Sequence, residues 1–432
     1  MKNFFQVLIN TLIANVTTNF LWFALTFWAY LETQSVIATA VVGGCYMLLV
    51  SISSLFFGTL VDQHKKKTIM LISAAFTFSF YVLAGILYII LPNESISSLT
   101  SPAFWVFAGV ILIGSVVENM RNIAMSTTVT ILVPKKLHGN ANGMVGSVAG
   151  IGFLMTSVFS GLAIGFLGMG WTLAISISLT LLAIIHLIIF VKIPEKEIVK
   201  DPELANKKID IKGSIAAITV VPGLMALILF STFNNLIGGA YMALMDPYGL
   251  TLFPVEVWGV ILGVTSTGFI IGGIVIAKKG LGKKPLKTLL IANIIMALIG
   301  MLFTIREFWL LYVIGIFIYM CLIPIIEATE QTIIQRVVPL KRQGRVFGLA
   351  QSVETAAAPI TALFIGPIAE FLVIPYMSSP DGQSQLGWLL GSGDARGIAL
   401  IFFVTGFIML IVASLAFTTK SYRILSKFYA KS

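Results

Sequence analysis

One segment of the sequence is present in two copies, and this duplication limits the possible folds more than any other feature. Val133–Ser147 (VPKKLHGNANGMVGS) returns as Val338–Ser352 (VPLKRQGRVFGLAQS), at an offset of 205 residues. Both copies keep the Val-Pro pair, two glycines and the final serine, and each joins the end of one apolar segment to the glycine-rich start of the next. An offset close to half of the chain length indicates a duplicated architecture.

The composition requires a membrane environment. Of the 432 residues, 58% are hydrophobic and only 11% are charged, whereas soluble domains carry about 25% charged residues. A helix needs about 20 apolar residues to cross the hydrocarbon core. Twelve segments meet this requirement, near residues 5–31, 36–61, 68–91, 104–131, 140–168, 171–191, 222–246, 255–277, 286–304, 308–336, 344–375 and 397–418.

The twelve segments fall into two groups of six around a charged middle stretch. We therefore predict an all-α integral membrane fold with twelve transmembrane helices in two six-helix pseudo-repeats. The expected division is a bundle at residues 1–191, a linker at 192–221 and a second bundle at 222–432.

The distribution of basic residues predicts the orientation of these spans. Of the 28 lysines and arginines, 25 fall on one side of the predicted helices. Because positive charge concentrates in cytoplasmic loops, we expect a multi-pass protein of the plasma (inner) membrane with both termini and the linker in the cytoplasm. The same distribution accounts for the net charge of +10, so no nucleic-acid partner is expected.

Span four carries a set of polar residues on one helix face. Glu118, Arg121, Asn122 and Met125 follow the i, i+3, i+4, i+7 spacing of such a face. Ionisable residues inside a membrane are costly and indicate functional sites, and we expect this face to meet an aqueous path. Glu118 and Arg121 are candidates for proton coupling, and the alternative is a structural ion pair within one helix.

Span ten repeats this spacing with Glu327, Glu330, Gln331 and Ile334, and it has no basic residue near the two glutamates. Two carboxylates one turn apart in a low dielectric repel each other, so at least one is expected to hold a proton near neutrality. Glu327 and Glu330 are therefore candidates for proton coupling, with helix-packing hydrogen bonds as the alternative. Glu354, early in span eleven, is a further candidate.

Amides, aromatic rings and few charges suit a cavity for amphipathic organic compounds, because apolar walls supply affinity and sparse polar groups supply orientation. The candidates for lining such a cavity are Asn15, Thr18, Asn19 and Trp22 on span one, Asn234, Asn235 and Tyr241 on span seven, and Asn122 and Gln331. The sequence shows no metal-binding or cofactor-binding pattern, and its three histidines are scattered. Neither a metal nor a cofactor is expected.

The loop after span two, GTLVDQHKKK, resembles the signature G-x-L-x-D-x-x-G-R/K-R/K of the major facilitator superfamily. Gly58, Asp62, Lys66 and Lys67 match, while Lys65 stands where the family has glycine. The resemblance implies twelve helices, with the first and fourth helix of each half lining the cavity. It also implies that Asp62 belongs to a cytoplasmic gate. A carboxylate at this helix end suits the positive start of span eleven, and the alternative is a plain charge at a helix end.

Three segments are similar to the macrolide-efflux-like branch of the drug:proton antiporters. They are residues 133–143, residues 344–352 and the long outer loop 376–396. At the antiporter motif of helix five the chain keeps small residues, including Gly152 and Gly161, but has no Gly-Pro pair.

These features together predict a secondary active transporter that exports small amphipathic compounds of drug or macrolide type by proton-coupled alternating access. The alternative is an importer or facilitator of a small metabolite on the same fold. An enzyme is not expected, because H-E-x-x-H, G-x-S-x-G and P-loop motifs are absent. The expected partners are the lipid bilayer, a small-molecule substrate and protons or Na⁺, and the protein is expected to be a monomer.

Overall fold

The computed structural model describes residues 2–33, 36–195, 211–391, 393 and 395–431, and these residues form helices and short connections without a β-strand. The part of the predicted linker at 196–210 lies outside the described residues, as do residues 392 and 394 of the predicted outer loop. Close to the middle of the chain a short helix occupies part of the stretch expected to be a linker.

The chain divides into two compact units. The first unit comprises Met1–Ala141, Val148–Ala217 and Val338–Ser352, and the second comprises Asn142–Ser147, Ile218–Val337 and Val353–Ser432. The helices up to the middle of the chain are α1 (Lys2–Thr33), α2 (Val36–Gln63), α3 (Lys66–Ile90), α4 (Asn93–Ile96), α5 (Pro102–Leu132), α6 (His138–Leu162), α7 (Gly168–Ile189) and α8 (Ile211–Thr219). The remaining helices are α9 (Leu224–Leu252), α10 (Val255–Lys279), α11 (Pro285–Leu302), α12 (Trp309–Val337), α13 (Leu340–Ile368), α14 (Ile374–Ser378), α15 (Pro380–Leu390), α16 (Ala395–Ala416) and α17 (Lys420–Lys431).

The helices confirm the twelve predicted crossings. Eleven helical stretches among the described residues are long and apolar enough to span a bilayer, and one of them, Lys135–Ile189, has 55 residues. This stretch is long enough for two passes, since one pass takes about 20 residues. It is interrupted at the π-helical turn Ala163–Leu167 and at Gly168, whose φ is +76°.

The duplication seen in the sequence extends to this irregular feature. A second π-helical turn, Ala369–Val373, follows α13 as Ala163–Leu167 follows α6. A π-helical turn is rare in proteins, so its presence after both glycine-rich helices supports a common origin of the two halves.

Each unit has its own aromatic core. In the first unit Trp28 stacks on Phe104 with a centroid distance of 5.8 Å. In the second unit Tyr241 stacks on Phe402 at 4.9 Å. Large apolar side chains are also exposed along the helices, as expected for surfaces that face lipid rather than water.

The glycines of the repeated segment lie where helix backbones approach closely. In the first unit, a Cβ on Gly344 would lie 2.6 Å from the carbonyl oxygen of Gly58. In the second unit, a Cβ on Gly143 would lie 2.6 Å from the amide nitrogen of Ala277. A side chain at either place would force the backbones apart, so the repeated sequence encodes close helix packing.

The outer segment 376–396 was expected to be a loop, and this expectation is wrong for most of its length. It contains the helix α15. Arg306 donates hydrogen bonds to the carbonyl groups of Trp388 and Leu389 at the end of this helix, and Arg396 donates to the carbonyl group of Leu390. Arg396 is buried, and its guanidinium donates to the Glu307 carboxylate at 3.1 Å. The apolar character of α15 was too weak to reveal this helix from hydropathy.

Candidate functional site

The first unit contains a buried ion pair on α5. Arg121 is completely buried, and its guanidinium pairs with the carboxylate of Glu118 one turn earlier. A second nitrogen of Arg121 donates to the side-chain oxygen of Asn10 on α1. Asn10 in turn donates to the carbonyl of Ala183 at 2.8 Å. Both charges on α5 are therefore neutralised inside the unit.

Two hydroxyl groups lie at the second oxygen of the Glu118 carboxylate. Ser73 donates to its Oε2 at 3.0 Å, and Thr77 lies 3.4 Å from the same oxygen. Next to the pair is a small cavity, partly lined by Thr18 and Thr180, with room for about one water molecule. Removing one partner from such a buried pair would leave an uncompensated charge, so the pair and its hydroxyl donors belong together in the packing of this unit.

The expectation that the polar face of α5 meets an aqueous path is wrong for three of its four residues. Only Asn122 is exposed, whereas Glu118, Arg121 and Met125 are buried. Met125 accepts a hydrogen bond from Thr11 on α1 at 3.7 Å. The face packs against neighbouring helices, because the ion pair allows its two charges to leave water together.

The second unit has a cluster of carboxyl groups with a different environment. The Glu330 side chain on α12 is only 8% exposed and lies close to the Glu354 carboxyl on α13 and the Ser231 hydroxyl on α9. Glu327, one turn earlier on α12, is exposed. Among the described residues, none of the three glutamates has a basic partner. We refer to Glu327, Glu330 and Glu354 as the carboxyl cluster.

The two helices that carry this cluster both contain proline. Pro324 lies one turn before Glu327 in α12, and Pro359 lies shortly after Glu354 in α13. Proline removes a backbone hydrogen bond and weakens the helix locally. The carboxyl cluster is therefore held by helix segments that bend more easily than an uninterrupted helix.

The predicted cavity residues of the first unit divide into accessible and buried groups. Asn15, Asn19 and Trp22 on α1 are half-buried. The Trp22 ring lies 4.9 Å from that of Tyr46, and its indole nitrogen has no hydrogen-bond partner among the described residues. Thr18 is buried and lines the water-sized cavity instead.

The predicted cavity residues of the second unit divide in the same way. Asn234, Asn235 and Gln331 are half-buried. The Asn235 amide donates to the carbonyl of Ser231 on its own helix at 3.0 Å. Tyr241, however, is buried in the aromatic core, and its hydroxyl donates to the carbonyl of Phe402 at 3.0 Å. The expectation that Tyr241 lines a cavity is therefore wrong, because its ring stacks between helices of its own unit.

The carboxylate of Asp62 lies at the start of α13, as the sequence predicted. Its two oxygens accept hydrogen bonds from the backbone amides of Gly344, at 2.7 Å, and Arg345, at 3.0 Å. Amides near a helix start carry positive partial charge and suit an anion. The missing side chain of Gly344 is needed here, because a Cβ would lie 2.6 Å from the Asp62 oxygen. The gating role of this contact stays a prediction.

The basic residues of the signature bind carbonyl groups at helix ends. Lys66 is buried and donates to the carbonyl of Val61 at 2.7 Å, while Lys67 donates to that of Val191 at 2.8 Å. Cations at helix C-termini are favourable. Lys65, in the glycine position of the signature, has a φ of −62°, so this turn does not require a glycine conformation.

The sequence analysis did not identify several polar residues that lie next to the charged groups. Asn10, Ser73 and Thr77 surround the ion pair, and Ser231 lies at the carboxyl cluster. Small polar residues in apolar helices often bond across to other helices. That rule would have marked all four residues as candidates, although it could not have paired them with a particular charge.

Comparisons with known proteins agree with this architecture. The sequence matches the family model of the Major Facilitator Superfamily over residues 7–362. No curated protein sequence matches the chain.

Three solved structures illustrate the likeness. A bacterial homologue of the iron transporter ferroportin, in an outward-facing state, is 13% identical with a TM-score of 0.66, covering 97% of this chain and 100% of its own. The human organic anion transporter MFSD10 (TETRAN) is 13% identical with a TM-score of 0.65, and the match covers 94% of this chain and 99% of that transporter. The proton:xylose symporter XylE, bound to 6-bromo-6-deoxy-D-glucose, is 12% identical with a TM-score of 0.65, and the match covers 96% of this chain and 95% of the symporter.

At these identities the solved structures show a common fold only. The family model covers most of the chain, and the long apolar helices among the described residues fit twelve crossings. The chain therefore belongs to the Major Facilitator Superfamily and is a membrane transporter.

Proposed function

We propose that this transporter exports small amphipathic compounds in exchange for protons. The observation that carries the proposal is the carboxyl cluster of the second unit: two glutamates from different helices lie side by side, with no basic partner among the described residues. Two adjacent carboxyl groups in a low dielectric do not both ionise readily, so they share a proton. A shared proton that is released when the site meets water is the requirement of a proton-coupled transporter.

The exposed member of the cluster gives the shared proton a route. Glu327 is accessible and lies one helical turn from Glu330. Proton transfer from the Glu330–Glu354 pair to Glu327 would move charge from a buried to an accessible group. The prolines in both helices allow the small changes of geometry that such a transfer needs.

The proposed substrate class follows from the accessible groups. Half-buried amides at Asn15, Asn19, Asn234 and Asn235 offer donors and acceptors, and the half-buried ring of Trp22 offers an apolar face. Such a set suits an uncharged or cationic amphipathic compound better than a multivalent anion, for which basic side chains would be expected. The similarity of residues 133–143 and 344–352 to the macrolide-efflux-like branch supports export as the direction.

The proposed cycle is alternating access, with Asp62 and the start of α13 acting as a gate on the cytoplasmic side. The orientation follows from the positive charge of the loops. Two carboxylate–amide hydrogen bonds are strong enough to favour one state and weak enough to break in each cycle.

The test uses inverted membrane vesicles energised with a proton gradient and a panel of hydrophobic cations, macrolides and neutral metabolites. Collapse of the gradient on addition of one compound class is expected for the native protein, and its loss is expected for Glu330→Gln and Glu327→Gln. Glu370→Gln serves as a control, because this glutamate is exposed on the π-helical turn after α13. Gradient collapse that persists in both cluster variants would contradict the proposed coupling site.

The second candidate function is facilitated transport of a small metabolite without proton coupling. It predicts substrate movement that does not depend on a gradient and no compound-dependent proton movement. Replacing the proton gradient by a Na⁺ gradient in the same vesicles identifies the coupling ion.

A further inference from the structure

Three residues separate the last described helix, α17, from the end of the last transmembrane helix, which places α17 at the membrane surface. Its start is fixed by local contacts: the Thr419 hydroxyl accepts the amide of Tyr422 at 3.2 Å, and the Tyr422 ring packs edge-on against Phe417 at 5.3 Å. Its sequence, KSYRILSKFYAK, contains four basic residues and no acidic one.

One face of α17 is anchored to the second unit. Leu425 and Tyr429 are buried, and the Arg336 guanidinium at the end of α12 lies 4.5 Å above the Tyr429 ring. The same arginine donates to the Tyr429 hydroxyl at 3.2 Å. Gly223, with a φ of +87°, lets the chain before α9 pass so close that a Cβ would lie 2.6 Å from the Ser421 carbonyl oxygen.

A neighbouring face of α17 is exposed and amphipathic. Ile424 and Phe428, one turn apart, are 46% and 38% exposed. Lys420, Lys427 and Lys431 are exposed on the same side of the helix, as their spacing from the apolar pair requires. An apolar pair flanked by lysines is typical of helices that lie in the membrane interface.

We propose that this exposed face of α17 is a binding site for anionic phospholipids. Ile424 and Phe428 enter the acyl-chain boundary, and the three lysines bind the phosphate groups above it. Two observations favour a lipid over a protein partner: three residues separate the helix that carries this face from a transmembrane helix, and the charge of the face is entirely positive. The positive-inside orientation places it at the cytoplasmic leaflet, whose surface is negative.

The site is preformed, which lowers the cost of binding. The contacts of Tyr429 and Leu425 hold α17 in place before a lipid arrives, so little backbone freedom is lost when it binds. The proposal goes beyond the transport reaction, because it concerns neither the substrate nor the coupling ion.

The test measures lipid binding to the full-length protein in an uncharged detergent by native mass spectrometry. Phosphatidylglycerol and phosphatidylcholine with the same acyl chains are titrated separately. The native protein is expected to bind phosphatidylglycerol about tenfold more tightly or better, since each basic residue near the headgroup contributes to attraction. The triple variant Lys420→Gln/Lys427→Gln/Lys431→Gln is expected to bind both lipids equally, while its buried face keeps α17 docked.

Two further variants separate a built site from general attraction. Lys283→Gln/Lys284→Gln/Lys287→Gln removes the same charge from exposed positions of the same unit, and it is expected to bind phosphatidylglycerol as the native protein does. Ile424→Ser/Phe428→Ser keeps every lysine and is expected to weaken binding of phosphatidylglycerol. Equal binding of the two lipids by the native protein, an equal loss in the control triple variant, or unchanged binding by the serine variant would overturn the proposal.

Discussion

The two units use corresponding helices for charged groups in opposite ways. By the repeat offset, Asn122 of α5 corresponds to Glu327 of α12, and Met125 corresponds to Glu330. In the first unit, the charges lie slightly earlier on the helix and form a buried pair, Glu118 with Arg121. In the second unit, the Glu330 carboxyl lies next to the Glu354 carboxyl and the Ser231 hydroxyl, and the part of the chain that the structure describes places no basic partner beside it.

We propose that this difference reflects separate roles for the two clusters. A buried ion pair leaves an uncompensated charge when either partner is removed, so it ties together the helices packed around it. Carboxyl groups without a basic partner gain or lose a proton when their exposure changes, because a low dielectric disfavours the ionised form and water favours it. We therefore infer that the ion pair of the first unit stabilises the structure, whereas the carboxyl cluster of the second unit takes up and releases a proton.

The sharpest way to break the contrast is to give the second unit the arrangement of the first. Glu327→Arg places a guanidinium one turn from Glu330, as Arg121 lies one turn from Glu118. The new pair should hold Glu330 ionised, so compound-driven proton movement in inverted vesicles should fall to the level of vesicles without the protein. Glu327→Gln separates the effect of the added charge from that of the lost carboxyl. Proton movement at the native rate in the arginine variant would contradict the assigned role.

The reverse experiment removes one partner of the pair in the first unit. Arg121→Leu leaves the buried Glu118 carboxylate without its cation, and the free energy of unfolding is expected to fall by about 3–5 kcal/mol. The double variant Glu118→Gln/Arg121→Leu removes both charges and should recover most of that loss. Thermal unfolding of the purified protein in detergent measures both values. Equal stability of the single and double variants would show that the pair does not act as a unit.

A smaller contrast concerns the helix crossings that the repeated segment encodes. In the first unit, the crossing is bridged by the charged Asp62. In the second unit, it is bridged by neutral groups, with the Asn142 amide donating to Thr332 at 2.8 Å and to Gln335 at 2.9 Å. Asp62→Asn should lower stability by roughly 2 kcal/mol and Asn142→Ala by about 1 kcal/mol, since hydrogen bonds to charged groups are the stronger ones. Thermal unfolding that ranks the two variants in the opposite order would contradict this comparison.

The smallest effect is expected at an isolated carboxyl group of the second unit. Glu370 lies on the π-helical turn after α13 and is exposed. Glu370→Gln should change the free energy of unfolding by no more than about 0.5 kcal/mol and leave proton movement at the native rate. A marked loss of transport in this variant would extend the proton path beyond the carboxyl cluster.

Hydropathy and the internal repeat were sufficient to predict the fold. The twelve spans follow from composition because each must satisfy its own backbone in lipid. The contact of Asp62 with the start of α13 followed from a motif that brings an acidic residue to a helix start. By contrast, the helix α15 in the outer segment was missed, because its polar composition is that of a loop.

The environment of each charge could not be predicted from spacing alone. The i, i+3 spacing places Glu118 and Arg121 on one helix face, but it does not say which helix covers that face. Asn10 and Ser73 are remote from α5 in sequence, and only the packing of α1 and α3 brings them to the pair. For the same reason, the proximity of Glu330 to Glu354, from two different helices, became clear only in the structure.

The most direct test of the account is infrared difference spectroscopy of the purified protein, which detects protonated carboxyl groups by their own absorption band. Spectra are recorded from alkaline to acidic solution for the native protein, Glu330→Gln, Glu354→Gln and Glu118→Gln. The account predicts a protonated-carboxyl band near neutral pH that either cluster variant removes and that Glu118→Gln leaves unchanged. A band that survives in both cluster variants, or disappears in Glu118→Gln, would contradict the assignment of proton transfer to the second unit.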